Sequence, residues 1–364
     1  MKKHISAFLS LQFIVLSLFA VQQQVTPVDY VRPQIDTHKS RWFFFSSASR
    51  PFGMVSLSPD TQTEGSWNSG YLYNSKEIRC FSHVHCWQLA GVPVMPTTGE
   101  ITGHKGMDAY KSAYSHDSEI VKPGYHKVEL DKYKIGVELT STARVGMHRY
   151  TYPAGEKANV LFDVGALLAH GKTEKAAIHR ISSKEIGGYS VLAPTSRRKK
   201  PVTVYFVARF NQNMTEFGGW EKEGEDKKLV RKNSIEGTDI GGYASFDKLK
   251  KQSLLMKVGI SYVSEEQARI NLNHELPHWD FDRVKKDAFA EWNRELGKIR
   301  VEGGSEEEKI KFYTDLWHSL LGRHTFSDSN GKYIDNTGEK PVVRQVPLAD
   351  GVPTRNTYTS DAFW

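Results

Sequence analysis

In Val202-Thr203-Val204-Tyr205-Phe206-Val207, β-branched and aromatic residues follow one another in the manner typical of a β-strand. Similar short, alternating runs occur from about residue 28 to residue 262. Turn-forming pairs lie between them, namely Pro123-Gly124, Gly187-Gly188, Gly218-Gly219 and Gly241-Gly242. Many short strands at this spacing predict a mainly β fold, with an N-terminal β-sandwich domain over residues 26–272.

Beyond Pro277 the apolar period changes from two residues to about 3.6, which indicates helices. Residues 273–303 are predicted to form a linker with a helix, for which Asp282 is a candidate N-cap and Gly297 a candidate end. The residue string Ser305-Glu306-Glu307-Glu308 is a capping box that predicts the start of a second helix.

That second helix is expected to end at Gly322. After it, Asp328-Ser329-Asn330-Gly331 predicts the turn of a small hairpin between residues 325–327 and 332–334. The remaining sequence to Trp364 shows no closing helical pattern, and two helices with a hairpin cannot bury their own apolar stripes. The chain is therefore interpreted as a fragment.

The N-terminus has the layout of a secretory signal peptide over residues 1–22, with two lysines before a short apolar run. No later segment is apolar enough to span a bilayer, so the mature chain is expected to be secreted or periplasmic. The net charge of +7 is spread along the chain, with one tight basic cluster at Arg197-Arg198-Lys199-Lys200. This cluster is interpreted as a solvated loop, and no nucleic-acid partner is expected.

Cys80 and Cys86 are the only two cysteines. In an exported protein an even pair is compatible with a disulfide bond. Extended chain between them would hold the two Cα atoms too far apart, so a bond requires the chain to fold back. The sequence leaves open a disulfide or two small buried thiols.

Residues 51–99 combine aromatic, imidazole, amide and hydroxyl side chains more densely than an ordinary core. They include Pro51-Phe52-Gly53-Met54-Val55, Ser58-Pro59-Asp60-Thr61, Trp67-Asn68-Ser69-Gly70-Tyr71-Leu72-Tyr73 and Phe81-Ser82-His83-Val84-His85-Cys86-Trp87. Aromatic faces cover the C–H side of a pyranose ring, while polar groups at the rim bind its hydroxyls. This composition favours a carbohydrate site.

The order of these strings resembles glycoside hydrolase family 92, the calcium-dependent exo-acting α-mannosidases. Further parts of the resemblance are Asp29-Tyr30-Val31-Arg32-Pro33-Gln34-Ile35-Asp36-Thr37, Met147-His148-Arg149-Tyr150-Thr151-Tyr152-Pro153 and Trp292-Asn293-Arg294-Glu295-Leu296-Gly297. It extends over nearly all of the chain that follows the signal peptide.

The resemblance implies a β-sandwich followed by the incomplete start of a C-terminal (α/α)6 barrel, with residues 304–364 as its truncated beginning. The missing barrel would be the natural intramolecular partner of the sandwich. The implied reaction is inverting hydrolysis of α-mannosides, in α-1,2 or related linkages of N-glycans or mannans, with Ca²⁺ as cofactor. The catalytic acid, the catalytic base and most calcium ligands are expected beyond Trp364, so this chain alone is expected to be inactive.

Six residues are candidate contacts for mannose-containing glycans: Trp67, Tyr71, His83, His85, Trp87 and Asp361. Trp67 lies in a turn-rich loop and is the candidate stacking platform, or else a plug of the domain interface. Trp87, where the family carries small residues, is a candidate leaving-group subsite or a core residue. Asp361 occupies the place of a family aspartate that holds mannose hydroxyls, but the flanking Trp and Thr of that motif are not reproduced.

His83 and His85 lie at alternate positions of a predicted strand and are expected on one face of it. They are candidates for substrate contact, for a zinc or copper site, or for structural roles. A third and fourth metal ligand with matching spacing are missing, so no metal ligand is assigned. The rival functions are a non-catalytic carbohydrate-binding β-sandwich module and a zinc hydrolase.

Overall fold

The computed structural model describes residues 25–38, 46–63, 70–86, 89–102, 106–166, 168, 172–196, 198–224, 226–247, 249 and 252–359. The strands are β1 (Ser58–Asp60), β2 (Glu77–Ile78), β3 (Cys80–Ser82), β4 (Val84–Cys86), β5 (Leu89–Gly91), β6 (Val94–Thr98), β7 (Ser112–Ala113), β8 (Ile120–Lys122), β9 (Tyr125–Leu130), β10 (Ile135–Ser141), β11 (Val145–Thr151), β12 (Ala158–Phe162), β13 (Thr173–Arg180), β14 (Glu185–Leu192), β15 (Val202–Phe210), β16 (Glu216–Glu223), β17 (Asp226–Val230), β18 (Ser234–Gly237), β19 (Gly241–Phe246), β20 (Ser253–Ser261), β21 (Lys332–Asp335), β22 (Val342–Gln345), β23 (Leu348–Ala349) and β24 (Val352–Pro353). The helices are α1 (Met107–Tyr110), α2 (Glu265–Glu275), α3 (Phe281–Leu296) and α4 (Glu306–Leu321), and a short 3₁₀ helix spans Pro27–Tyr30.

Two large antiparallel sheets, built from described residues, form the body of the molecule. One has seven strands in the order β1-β3-β6-β12-β19-β16-β17, and the other has nine in the order β18-β13-β14-β15-β20-β11-β10-β9-β8. The rings of Phe162 and Phe206, one from each sheet, stack with centroids 5.9 Å apart. Phe210 and Phe246 cross the same interface at 5.0 Å. The prediction of a mainly β fold with an N-terminal β-sandwich is confirmed.

Three of the predicted turn pairs lie inside strands, so their assignment as turns is wrong. Gly187-Gly188 belongs to β14, Gly218-Gly219 to β16 and Gly241-Gly242 to β19. These glycines allow close approach of neighbouring groups, since a Cβ on Gly241 would overlap the Trp220 indole. Pro123-Gly124 does form a turn, in which Gly124 has a φ of +81°.

Helix α2 covers the nine-stranded sheet and was not predicted from the sequence. The Ser264 side chain caps it by accepting a hydrogen bond from the Gln267 amide. A Cβ on Gly259 of β20 would lie 2.9 Å from Cβ of Leu272, so only glycine permits this close packing. The buried face mixes Gln267 and Asn271 with Ala268 and Leu272, which explains the missing apolar stripe. The helix also extends past residue 272, the predicted end of the sandwich domain. The domain limits stay predictions.

Helices α3 and α4 agree with the predicted periodicity. α3 buries Val284, Ala288, Trp292 and Leu296, and Gly297 follows its last residue. Its N-cap is Asp280 and not Asp282, because the Asp280 carboxylate accepts from the Arg283 amide while Asp282 pairs with Arg149 at 2.9 Å. In α4 the predicted capping box is present, with Ser305 and Glu308 bonded reciprocally, and Gly322 is the C-cap.

The N-terminal segment, residues 25–37, packs on these helices. Tyr30 stacks on Tyr313 of α4 with centroids 5.7 Å apart, and the Arg32 amide donates to Thr314 Oγ1 at 3.0 Å. Trp292 and Trp317 pack together between α3 and α4. The first described residues therefore pack against α3 and α4.

The predicted hairpin between residues 325–327 and 332–334 is wrong in its pairing. Its Asn330-Gly331 turn exists, with the Gly331 amide donating to Asp328 O at 2.8 Å. However, β21 pairs with β22, and Thr325 bridges Tyr358. The reason is that the Asp328 carboxylate accepts hydrogen bonds from Ser261 and Asn271, which turns this part of the segment toward the sandwich.

The basic cluster near residue 200 interacts with backbone carbonyls. Arg198 Nη2 donates to Ala193 O at 2.7 Å, and Lys200 Nζ donates to Asn336 O at 2.6 Å, at the start of the β21–β22 connection. Arg197 and the predicted signal peptide lie outside the described residues. Within the described ranges, no helix has the length and apolar character needed to cross a membrane.

Candidate functional site

Three of the six predicted sugar contacts, Trp67, Trp87 and Asp361, lie outside the described residues. The described residues next to them in sequence all attach to one buried group, which we name the histidine cluster. It consists of Asp60, His83, His85, His148 and His324, each less than one-tenth exposed.

The links from the cluster to these three segments are short. Gly70 O, after the segment with Trp67, accepts from the amide of Thr61, the neighbour of Asp60, at 3.0 Å. Cys86, before Trp87, follows His85 in β4. The Thr359 amide, two residues before Asp361, donates to His324 O at 2.9 Å.

Asp60 and His85 form a buried ion pair at the end of β1. His85 Nε2 lies 2.8 Å from Asp60 Oδ1, and its Nδ1 lies 2.6 Å from the Ser56 carbonyl oxygen. Because both ring nitrogens face acceptors, the hydrogen-bond network assigns a doubly protonated ring. Burial alone would lower the pKa of His85, but the Asp60 carboxylate and the Ser56 carbonyl raise it overall. Ser82 and Cys80 donate to the second oxygen of Asp60.

His83 and His148 form a neutral pair. His83 Nδ1 donates to Val92 O at 2.7 Å, so its Nε2 carries a lone pair that accepts from His148 Nε2 at 2.8 Å. Tyr150 then donates to His148 Nδ1 at 2.8 Å. Burial lowers the pKa of His83 to about 4 and that of His148 well below its ordinary value. Every polar ring atom of this pair is therefore satisfied without a net charge.

His324 joins the cluster from the C-terminal segment. Its Nδ1 donates to Gly53 O at 2.9 Å, and its amide donates to Thr359 Oγ1 at 3.2 Å. Burial lowers the pKa of this imidazole, and the nearby His85 lowers it further. The next residue, Thr325, donates through both its amide and its hydroxyl to Phe52 O.

Three of the seven described non-glycine residues with a positive φ lie next to the cluster. Phe52, Val92 and Arg323 have φ values of 56°, 54° and 58°. The carbonyl of Val92 accepts from His83, Phe52 precedes Gly53, and Arg323 precedes His324. Such conformations are costly for bulky and β-branched residues, and they persist where the surroundings fix them, often at functional sites.

Tyr71 belongs to a second buried cluster around Glu119. Its hydroxyl donates to Glu119 Oε2 at 2.9 Å, the same oxygen that lies 2.6 Å from His116 Nδ1. His126 Nε2 lies 2.9 Å from the other carboxylate oxygen. Burial alone would raise the pKa of Glu119, but these hydrogen bonds lower it overall. Tyr71 is only 2% exposed, so its ring is part of the core.

The burial of Tyr71, His83 and His85 gives no support for direct sugar contact, which stays a prediction for all six residues. His83 is 0% and His85 2% exposed, and their ring nitrogens are occupied by internal partners. Across the described ranges, no group of three or more His, Cys, Asp or Glu side chains is arranged to hold a metal ion. Cys80 is a free buried thiol, which agrees with the buried-thiol alternative and not with a disulfide.

Sequence reasoning did not single out Asp60, Glu119, His148 or His324. The available signal was that Asp60 lies within a string quoted for its polar and aromatic composition, and His148 within a string quoted for the family resemblance. His324 has no local pattern, because its partners Gly53 and Thr359 are brought to it only by the fold. The cluster is a rigid, enclosed set of hydrogen bonds, suited to holding the surrounding loops and unsuited to acid–base catalysis by its own carboxylate.

Comparison with known proteins extends over nearly the whole chain. A sequence model described as the glycosyl hydrolase family 92 N-terminal domain matches residues 30–261, and one described as the family 92 catalytic domain matches residues 267–364. Among curated proteins, an "Uncharacterized secreted glycosidase" of Arthroderma benhamiae is 23% identical over 347 residues, which are 87% of this chain and 44% of the relative.

Two solved structures show the same architecture. A family GH92 alpha-mannosidase from Bacteroides thetaiotaomicron is 28% identical, with a TM-score of 0.79, over 93% of this chain and 45% of that chain. A GH92 family glycosyl hydrolase is 25% identical, with a TM-score of 0.81, over 93% of this chain and 45% of that chain. The chain therefore spans just under half the length of the relatives that it matches.

Proposed function

Since the chain belongs to glycosyl hydrolase family 92, we propose that it is the N-terminal part of an exported exo-acting α-mannosidase. The observation that carries the proposal is the continuous match to both family domains, over residues 30–261 and 267–364. The similar solved structure named as an alpha-mannosidase indicates the sugar. The substrates would be terminal mannose residues in α-1,2 or related linkages of N-glycans or mannans.

The location of the histidine cluster supports a binding site between the two matched domains. His83, His85 and His148 come from the N-terminal match, and His324 comes from the catalytic-domain match. Ligand sites occur preferentially at such interfaces. We propose that Trp67, Trp87 and Asp361 contact mannose, as predicted, and that the buried Tyr71, His83 and His85 support the site by holding described residues that are near them in sequence.

Inverting hydrolysis requires a carboxylic acid at the leaving oxygen and a carboxylate that activates water on the opposite face of the ring. The buried carboxylates of Asp60 and Glu119 do not fit these roles, because each already accepts three or more hydrogen bonds from internal donors. We therefore place the acid and the base in the part of the family enzymes that this chain does not span.

Calcium requires six to eight oxygen ligands. The described residues contain no group of three or more His, Cys, Asp or Glu side chains arranged to hold a metal ion. The carboxylate oxygens of Asp60 already accept hydrogen bonds from His85 and Ser82. These residues therefore do not fit a calcium ion. If the complete enzyme uses calcium, its ligands come from residues outside the described ranges or from sequence beyond this chain.

The experiment compares the 364-residue chain with a polypeptide extended by the coding sequence that follows Trp364. Both are assayed for mannose release from an aryl α-mannoside and from mannobiose, with and without a calcium chelator. The expected result is no release by the shorter chain and chelator-sensitive release by the extended one, with β-mannose as the first product in a proton NMR time course. Calcium-dependent release by the shorter chain would overturn the assignment of the acid and the base.

Export is tested by the processing of the first residues. We expect secretion to remove about the first 22 residues, given the lysines and the apolar run at the N-terminus. N-terminal sequencing of the protein recovered from the medium or periplasm measures this. An intact Met1 on exported protein would contradict it.

A further inference from the structure

A cavity, which we name the outer cavity, lies on the face of the seven-stranded sheet that points away from the other sheet. Its volume is about 290 Å³, close to the lower end of the roughly 300–1,000 Å³ found for ligand sites. Its lining combines the hydroxyl groups of Thr97, Thr98 and Thr102 with the rings of Tyr110, Tyr133 and Trp220. No member of the histidine cluster belongs to the described lining.

The strand register fixes the floor of the outer cavity. Thr97 of β6 and Leu161 of β12 point to the same face of the sheet, because Thr97 pairs with the residue two positions before Leu161. Leu161 and Gly218 both pair with Tyr243 of β19, so Trp220, two residues after Gly218, also lies on this face. The residue after Leu161 points the opposite way, where its ring stacks on the nine-stranded sheet.

A second wall of the outer cavity consists of α1 and the turn between β9 and β10. Lys132 Nζ donates to Ala109 O at 2.6 Å, and the Tyr133 hydroxyl donates to Tyr110 O at 2.8 Å. The Tyr110 hydroxyl in turn donates to Asp163 Oδ2 at 2.8 Å. Because these hydrogen bonds hold the wall in place, a ligand would bind to a preformed shape at a lower entropic cost.

Thr97 supplies a buried hydroxyl group on the floor. The residue is 5% exposed, and its Oγ1 has no hydrogen-bond partner among the residues that the structure describes. A buried hydroxyl left without a partner costs free energy, and such groups are normally paired with protein, water or ligand. Thr97 therefore indicates a ligand that brings its own hydrogen-bonding group to this position.

The charged groups of the described lining are Glu100 and Lys132, and both already have protein partners. Glu100 lies 3.1 Å from Lys157 Nζ, and the Lys132 ammonium donates to the carbonyl of Ala109. Since neither charge needs a counter-ion from a ligand, the outer cavity favours a neutral molecule. Hydroxyl groups beside aromatic rings suit the hydroxyls and the C–H face of a sugar.

We propose that the outer cavity binds one neutral hexopyranose unit of a glycan, with a sugar hydroxyl bonded to Thr97 Oγ1. The rings of Tyr110, Tyr133 and Trp220 would contact the C–H groups of the sugar. Taking this sugar as mannose rests on the proposed function, since the glycan would be the substrate of the complete enzyme. Such a site would keep a branched glycan bound to the sandwich while its terminal residues are removed.

The test follows the indole N–H resonances of the 364-residue chain labelled with ¹⁵N-tryptophan. The chain is titrated with methyl α-mannopyranoside up to about 100 mM, because a single sugar unit is expected to bind in the millimolar range. The Trp220 resonance, identified by its loss in Trp220→Phe, should shift and saturate. The Trp292 resonance is the internal control and should not move, since this indole donates to Ser49 O between the helices and the sandwich.

Thr97→Val removes the hydroxyl and keeps the shape of the side chain. It should weaken binding about fivefold, the typical effect of one hydrogen bond. It should also raise the melting temperature of the sugar-free chain by about 1–2 °C, because an unpaired buried hydroxyl is lost. Thr140→Val is the matched control, since the buried Thr140 hydroxyl donates to Gly124 O at 2.8 Å. It should lower the melting temperature and leave the affinity unchanged.

Ala109→Phe places a ring in the outer cavity from the exposed side of α1, and it should abolish the shift of the Trp220 resonance. Full affinity in folded Thr97→Val and Ala109→Phe would overturn the proposal. An unmoved Trp220 resonance in the unsubstituted chain, or saturating shifts confined to other tryptophans, would overturn it as well. None of these results bears on the mannosidase proposal, which is judged by mannose release from the extended polypeptide.

Discussion

At the scale of single residues, the surroundings leave one histidine neutral and give its near neighbour in sequence a positive charge. His83 and His85 are separated by one residue and are both buried. His83 faces Val92 O and a neutral imidazole, whereas His85 faces a carbonyl and the Asp60 carboxylate. The His-x-His string alone cannot distinguish these environments, because Asp60 and His148 lie 25 and 65 residues away.

The neutral pair predicts a loss of stability in acid. Burial lowers the pKa of His83 from 6.5 to about 4, so the unfolded chain takes up a proton that the folded chain cannot. The free energy of unfolding should therefore fall as the pH decreases from about 6.5 toward 4, by roughly 3 kcal/mol for this group. His148→Gln removes the second titrating ring of the pair and should reduce the acid-induced loss, as measured by urea unfolding across this pH range.

Tyr150→Phe is the control for that measurement, because it removes a hydrogen bond to His148 and keeps both rings. It should lower stability at every pH by about 1 kcal/mol and preserve the pH dependence. Parallel curves for the unmodified chain and His148→Gln would contradict the assignment of neutral rings.

At the scale of elements, one arginine connects the sandwich to helix α2 and to the C-terminal segment. Arg144, in the turn between β10 and β11, is 7% exposed. Its guanidinium donates to Glu275 Oε1 of α2 at 2.7 Å, to Ser327 O at 2.7 Å and to Asn356 Oδ1 at 2.9 Å. The planar, forked geometry of arginine is what allows three separate segments to share one side chain.

Arg144→Lys should loosen the C-terminal segment, because one ammonium group cannot reach all three acceptors. We expect faster amide hydrogen exchange in residues 324–329 and 355–359, and a loss of about 2 kcal/mol in stability. Hydrogen-exchange mass spectrometry measures the local effect. Arg269→Lys is the matched control, since Arg269 joins α2 to Glu185 of the sheet and does not contact the C-terminal segment. Unchanged exchange in both peptides would show that Arg144 does not hold this segment.

At the scale of the whole molecule, apolar side chains are exposed on two successive hairpins. Val342, Val343, Leu348 and Val352 are each about half exposed or more, with Val352 at 64%. These residues belong to β22, β23 and β24, which pair only within their own hairpins among the described strands. Exposed apolar surface of this kind marks an interface or an association hazard.

The exposed hairpins predict self-association of the isolated 364-residue chain. Sedimentation velocity should show a weight-average mass that rises with concentration, and Val343→Glu combined with Val352→Glu should return it to that of a monomer. Ile299→Glu, at an exposed position outside the hairpins, is the control and should not reduce association. A monomer at all concentrations would contradict the prediction.

The sequence predicted elements whose signal is local. The alternation in β15, the capping box at Ser305 and the apolar stripe of α3 each depend on residues a few positions apart, and all three are present. It failed where distant groups decide the structure. The buried face of α2 includes polar Asn271 because its amide binds Ile260 O and Asp328. The pairing of residues 325–327 was missed because Thr325 bonds Phe52, which is 273 residues away.

The packing of residues 25–37 on α3 and α4 has a consequence for biogenesis. The Arg32 amide and its acceptor Thr314 are 282 residues apart. At typical translation rates, the ribosome needs on the order of tens of seconds to add such a length of chain. During that interval Tyr30 and Arg32 lack the helices on which they pack, so this segment stays incompletely docked until α3 and α4 have been synthesised.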